Sequence, residues 1–306
     1  MSDKFFSSRY PILAALMVGV SDLNFAIACQ QSGIFPSLIV TEDSNAYPDK
    51  LNQALKDFYQ ATGTRNINVG SHFDFLYDPK LVSVLKSNQV RHIEFYAPHP
   101  ITFGDIGERK KRIGEEKYTE LCRKSFIDLQ NNNVKIMRRR ITTIADKLPY
   151  DAYCLKGSDG AGYSGKLTTM EFFKQQHIST PNKILIPASG IGTAKQVREY
   201  IDLGASAVAI GSRLAASIES NVSIETKKKM IKATSKDIVT MPDTGQQALV
   251  FGNVDEIIAS KERNRQSSLM SGINGTGGHI YAGPSLEYIT EILTLKEIVL
   301  DLVSDL

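Results

Sequence analysis

Short apolar, β-rich runs alternate with longer stretches whose apolar residues recur at helical spacing, and the alternation persists to about residue 220. The short runs are Ile12–Val18, Ser37–Thr41, Asn66–Val69, His92–Ala97, Val134–Ile136 continuing toward Arg140, Ala152–Leu155, Ile184–Pro187 and Ala207–Ile210. Strands separated by helical patterns predict repeated βα units and a parallel sheet. Eight such units predict an α/β chain folded as a (β/α)8 barrel.

The intervening segments carry helix punctuation. Pro48–Asp49 opens Lys50–Ala61 and Gly63 closes it, while Glu115–Gln130 and Thr168–Gln176 repeat apolar residues at helical spacing. Thr193-Ala-Lys-Gln196 reads as a capping box, with Leu203-Gly204 as the stop. Past the eighth run come a basic helical pattern, Ser223–Lys236, a less regular tract, and Ser285–Ser304, which reads as helical again. The expectation is one domain, 1–306, with eight βα units in residues 1–220 and residues 221–306 as an extension packed over the barrel mouth.

Composition narrows the function classes. The 306 residues suit either two domains or one barrel with insertions, so the order of elements decides. Lys+Arg 36 against Asp+Glu 33 gives a net charge of only +3, without the basic stripe that nucleic acid requires. The apolar stretch Pro11–Val20 is short against the roughly 20 residues of a membrane span, and Asp22 follows it without a cleavage pattern. A soluble, cytoplasmic protein with no membrane partner is expected. Cys29, Cys122 and Cys154 are widely spaced and form no Cys/His cluster, which predicts buried thiols and no metal site.

Candidate chemistry gathers at the ends of the last strands. Strand seven runs into Ile186-Pro-Ala-Ser-Gly-Ile-Gly-Thr193 and strand eight into Val208-Ala-Ile-Gly-Ser-Arg213, each a small-residue turn leading into a helix. Backbone N–H groups at such helix starts favour an anion, and the loops after strands seven and eight are the usual phosphate site of a barrel. Gly190, Gly192, Gly211 and Ser212, with Ser189 beside them, are the candidate ligands. Either turn alone could need its glycines merely to bend; the two together favour phosphate, without separating FMN from a sugar phosphate. Strand six leads into Lys156-Gly-Ser-Asp-Gly-Ala-Gly-Tyr-Ser-Gly165, a loop loose enough for backbone to approach a flat ligand.

These segments together resemble the nitronate monooxygenase family, formerly 2-nitropropane dioxygenases, which includes FMN-dependent enoyl-acyl-carrier-protein reductases. The resemblance covers most of the chain: Pro11 through Gly33 with Met17, Gly19, Val20 and Ser21, then Asn68, Lys156–Gly165, Ala188–Ile191, Leu203–Ala205, Gly211–Arg213 and Glu219–Ser220. It implies FMN as cofactor and NAD(P)H as a candidate reductant. Met17, Gly19 and Asn68 would lie around the isoalloxazine, Lys156 at its pyrimidine edge with Asp159 and Gly162 in the same motif, and Gly190, Gly211 and Ser212 at the phosphate. A cation beside that edge makes physical sense, because reduced flavin carries negative charge there.

Two positions depart from the family pattern: Tyr163 stands where a histidine is common, and Asp159 where a glutamate is. A phenol, titrating near about 10, is a poor base but a serviceable proton donor, which tilts the reading toward reduction of an activated double bond. Tyr163 could equally well pack against flavin or substrate. His99, after strand four, and His279, in a late glycine-rich loop, are the other candidate acid–base residues. Arg138, Arg139 and Arg140 end strand five; alternation puts Arg138 and Arg140 on one face, and Arg140 is the candidate for a substrate carboxylate or phosphate, with Asp159 as its competing partner. Glu108–Arg112 reads as a solvated loop or a surface for an acidic acyl carrier protein. Four readings remain: a flavin oxidoreductase for a small organic substrate, an enoyl-thioester reductase, a flavin-free isomerase or lyase with Lys156 as a Schiff-base amine, and a flavin-binding protein without turnover. A homodimer is expected by analogy with similar barrels.

Overall fold

A computed structural model describes residues 5–40, 46–95, 110–143, 146–241, 245–259 and 262–306, with the backbone alone for 262–266. His99, Glu108 and Arg109 lie outside the described residues, while residues 110–112, read as part of a loop, are helical.

The eight expected strands are present: β1 (Ile12–Ala14), β2 (Ser37–Leu38), β3 (Asn68–Ser71), β4 (His92–Phe95), β5 (Lys135–Arg140), β6 (Ala152–Leu155), β7 (Ile184–Pro187) and β8 (Val208–Ile210). Strands β2 to β7 pair in parallel in chain order, and β1 pairs in parallel with β8. The two sheets meet at both seams. Phe35, just before β2, exchanges bonds with β1 through Ala14 N–H (2.9 Å) and Ile12 C=O (2.8 Å), and Ser206 N–H donates to Leu185 C=O across β7 and β8 (3.3 Å). The cyclic order of parallel strands makes the fold a (β/α)8 TIM barrel.

The first strand is shorter than the sequence suggests. It stops at Ala14 because Met17–Ser21 folds into a turn in which Ser21 Oγ accepts from Met17 N–H (2.9 Å) and donates to Ala15 C=O (3.1 Å). Helices α1 (Leu23–Gln31), α2 (Tyr47–Thr62), α3 (Pro79–Ser87), α4 (Glu115–Asn131), α5 (Thr169–Ser179) and α6 (Ala194–Asp202) surround the barrel. The capping box of α6 forms as read, Thr193 Oγ1 and Gln196 bonding each other's backbone. Phe25, Leu51, Phe58, Phe126, Phe172 and Val197 fill the layer between helices and sheet.

The barrel interior is a second, smaller core of Phe6, Leu13, Phe35, Met137, Ala152, Cys154, Ile186, Ala207 and Ala209. Phe6 lies against Phe35 with ring centroids 4.6 Å apart, and the His92 ring bonds Phe5 C=O at 2.7 Å. These contacts close the end where the strands begin, so the open end is the one where they finish. Burial lowers the His92 pKa to about 4, which leaves the plug neutral.

The extension departs from expectation. After the short α7 (Ser212–Ala215), helix α8 (Ile224–Lys232) ends at Lys232 rather than Lys236, and the tract read as irregular holds three antiparallel strands, β9 (Ile238–Thr240), β10 (Gln247–Phe251) and β11 (Gly278–Ile280). Helices α9 (Val254–Ala259) and α10 (Glu262–Asn274) join β10 to β11. Strands of three to five residues leave too little alternation to recognise. The sheet meets the barrel mouth through reciprocal backbone bonds between Gly162 and Gln247 (2.8 and 2.9 Å) and a core of Val20, Met230, Leu249, Leu269, Ile273 and Leu286. Of Ser285–Ser304, only α11 (Leu295–Leu302) is α-helix; it packs on α6 and α1 and so fills the outer position that follows the eighth strand.

Candidate functional site

Alternation along β2 to β5 sends Ser37, Asn68, Glu94 and Arg139 into the upper half of the barrel. Asn68 Nδ2 donates to Ser37 Oγ and to Glu94 Oε2, each at 3.1 Å. Arg139 grips Glu94 Oε1 with Nε (3.0 Å) and Nη2 (2.8 Å), and Nη2 also reaches Leu16 C=O at 3.4 Å. Glu94 is fully buried, and its charge is met within the ring. The row leaves one atom over: Asn68 Oδ1 is buried and has no protein partner.

Lys156, one residue past β6, closes the row. Its Nζ donates to Ala161 C=O. Desolvation, reinforced by the charge of Arg139 and opposed by Cys154 and Glu94, brings its pKa down to about 7. An amine that is part neutral and part ammonium near physiological pH therefore sits beside the buried Arg139–Glu94 pair.

The loops after β7 and β8 lie beside this row. Ser189 Oγ is buried without a protein partner. Gly190 takes φ +70°, and a Cβ there would stand 2.3 Å from Asp159 Oδ2, so the strand-six and strand-seven loops touch only because the residue is glycine. At Gly211 a Cβ would meet only Ala15 and Met17, both at an ordinary 3.6 Å. A side chain at Gly211 would therefore begin in contact with Ala15 and Met17, which bound the space beside it.

Other sequence candidates have structural work. Gly192 N–H is spent on Gln196 Oε1 (2.9 Å), and a Cβ there would lie 2.3 Å from the Tyr288 ring, so this glycine serves packing and capping rather than an anion. Gly19, at φ +77°, lies under Ile273 of α10, and its carbonyl accepts from Asn221 Nδ2 (2.7 Å). Asp159 Oδ1 accepts from Thr169 N–H (2.9 Å) and Oγ1 (2.6 Å), pinning the strand-six loop to the start of α5. Ser212 begins α7 beside Gly211.

Arg140 faces away from the lumen. It donates to Gln176 Oε1 of α5 (2.7 Å), lies over the Tyr153 ring at 4.3 Å and comes within 3.9 Å of Asp146. The alternative pairing with Asp159 is not formed, and the charged residue that reaches the lumen is its neighbour Arg139. His279 is buried within the extension on β11, its Nδ1 bonded to Ser268 Oγ (2.9 Å) and its ring 5.1 Å from that of Tyr281. Tyr281 lies against Gly162, so its ring stands between His279 and the strand-six loop. Tyr163 is half-buried and follows Gly162 at the joint between loop and extension.

The residues not anticipated are Ser37, Glu94 and Thr169. A signal for Glu94 exists in His92-Ile-Glu-Phe95, where polar and apolar residues alternate and only a polar-lined interior accommodates both polar ones. Among the described residues no group of histidine, cysteine and carboxylates could hold a metal ion, and no helix is long and apolar enough to cross a membrane.

The model of the nitronate monooxygenase family matches residues 1–305. Among solved structures, FabK from Thermotoga maritima is 24% identical, with 98% of this chain and 93% of that one covered and a TM-score of 0.78. Nitroalkane oxidase from Streptomyces ansochromogenes is 16% identical over 97% and 96% of the chains, with a TM-score of 0.74. The enoyl reductase domain of MlnA from Bacillus amyloliquefaciens is 14% identical over 98% and 94%, with a TM-score of 0.55. At these identities the likeness is one of fold. No curated protein matches the chain.

Proposed function

Because this chain belongs to the nitronate monooxygenase family, a family of flavin-dependent oxidoreductases, we propose that it is an FMN-dependent oxidoreductase acting on a small organic substrate. The observation that carries the reading is a pair of buried polar atoms that the protein leaves unspent, one in the row of lumen residues and one in the loop after β7. Asn68 Oδ1 and Ser189 Oγ are buried without protein partners. Buried polar groups are almost always satisfied, so these two atoms fit a ligand with hydrogen-bonding groups at both places.

The residues fit FMN in kind. Ser189, Gly190, Gly211 and Ser212 would hold the phosphate, Met17 would lie along the ring, and Asn68 Oδ1 would accept from a ring N–H. Lys156 supplies a partly desolvated amine whose protonated form favours negative charge on the neighbouring ring edge. FMN, when bound, supplies a two-electron relay. Asp159, through Thr169, holds the strand-six loop in place around it.

The visible spectrum of the purified protein, before and after heat release of any chromophore, tests the proposal. Flavin bands and released FMN are expected; a colourless protein that takes up no added FMN would overturn it and leave the flavin-free barrel. A second reading, reduction of an activated double bond, is favoured by Tyr163 in the place where histidine is common. It expects NAD(P)H oxidation that depends on an enoyl thioester and falls in Tyr163→Phe. Unchanged turnover in that variant would remove the phenol from the chemistry.

A further inference from the structure

Two charged side chains in the lumen, the buried Glu94 and the half-buried Arg139, stand at the active-site end yet belong to neither the phosphate loops nor the glycine-rich motif. We propose that they are positioning residues of the site: Glu94 fixes the amide of Asn68 with its acceptor oxygen unspent, and Arg139 balances the Glu94 charge beneath Lys156.

A carboxylate can only accept hydrogen bonds, so the Asn68 atom 3.1 Å from Glu94 Oε2 must be the nitrogen, and the opposite atom must be the oxygen. Ser37 Oγ, also 3.1 Å from that nitrogen, accepts from it too, but a hydroxyl can serve either atom of the amide, so the orientation depends on Glu94. Without Glu94 the amide could turn over and offer a donor where it now offers an acceptor. The carboxylate oriented in this way is costly to bury, and Arg139 offsets that cost with a two-pronged contact to the other oxygen, at 3.0 and 2.8 Å. The pair thus selects which edge of a ligand can lie against Asn68: one that presents an N–H.

The same pair acts on Lys156. Arg139 is the register partner of Cys154, and Lys156, bonded through its N–H to Arg140 C=O at 2.9 Å, follows Cys154 by two residues on the same face, so Arg139, Glu94 and Cys154 are the charged and titratable groups facing its amine. Arg139 disfavours its proton and Glu94 favours it, so the amine reads the balance between them.

The test uses the full chain, without and with FMN. Reductive methylation with a 13C label, assigned with Lys156→Arg, gives the titration of Lys156 without flavin. Glu94→Gln should lower its midpoint and Arg139→Gln should raise it, each by about one pH unit, with the double variant returning close to the parent. Midpoints that stay put, or that move in the same direction, would overturn the charge pairing. With FMN bound, Glu94→Gln should raise the flavin midpoint potential and Arg139→Gln should lower it, because the first leaves a cation unpaired and the second an anion. A mere loss of packing would not produce opposite signs. If the neutral variants fail to fold, Glu94→Asp and Arg139→Lys carry the test: they should keep the Lys156 titration and weaken FMN binding at least tenfold, and unchanged binding in both would overturn the positioning role. Only the flavin readouts rest on the proposed function. The Lys156 titration stands without it, so failure of the FMN reading and failure of this inference give different results.

Discussion

Replacing Asp159 with alanine separates a structural latch from a cofactor ligand. The carboxylate accepts two hydrogen bonds from Thr169, at 2.9 Å from N–H and 2.6 Å from Oγ1, and Thr169 Oγ1 in turn accepts from Gly157 N–H at 3.1 Å. Thr169 is fully buried while Asp159 is half-buried. Hydrogen bonds to a charged group contribute about 1.5–3 kcal/mol each, and partial exposure of the acceptor discounts the upper end, so Asp159→Ala should cost about 2–4 kcal/mol of stability. Thr169→Val keeps the shape and the N–H but removes the hydroxyl, and should cost about 1–2 kcal/mol. Because the two side chains share one bond, the double variant should be more stable than the sum predicts by about 1 kcal/mol. Urea unfolding of the four proteins measures the cycle, with FMN binding followed in parallel. Strict additivity would refute the latch. Loss of FMN from Asp159→Ala at an unchanged unfolding midpoint would refute the assignment altogether and return the carboxylate to the cofactor.

Lys156, brought down from 10.5 to about 7, binds fewer protons folded than unfolded between those values, so stability should rise with pH across that window. Lys156→Met should remove this slope in thermal melts taken from pH 7 to 10, and an unaltered slope would contradict the shifted amine. His92 and His72 are both lowered to about 4 by burial, so the unfolded chain takes up their protons first and stability should fall as pH drops from 6.5 toward 4. At about 1.4 kcal/mol per unit, the His92 part approaches 3 kcal/mol, and His92→Asn should remove roughly half of the measured loss between pH 6.5 and 4; an identical pH profile would count against it. Arg140→Met should cost about 1–3 kcal/mol in urea unfolding by leaving Gln176 Oε1 without its buried donor, while Asp146 keeps Arg138, with FMN affinity and KM unchanged. A raised KM at unchanged stability would restore the substrate role.

Much of this protein is local and was therefore legible in the chain itself. Eight β-rich runs between helical patterns specify the barrel, because each βα unit is recognised within a short window and the closing order follows from repeating it. The α6 capping box, the stop at Leu203-Gly204 and the turns after β7 and β8 are likewise written in consecutive residues. Alternation correctly placed Arg138 and Arg140 on one face and Arg139 on the other. It could not tell which face was the lumen, because a parallel barrel strand is buried on both sides and shows no solvent side to orient by. That one bit decided whether Arg140 or Arg139 belonged to the site. The ring from Ser37 through Asn68 and Glu94 to Arg139 draws one residue from each of four strands, and Asp159 finds Thr169 only once a ten-residue loop has folded back. Likewise Gly19 and Gly192 are spent on Ile273 and Tyr288, more than ninety residues away, so packing and ligand contact leave the same mark on the sequence. Only the tertiary structure brings these partners together, because their contacts depend on strand register and barrel closure rather than on neighbouring residues.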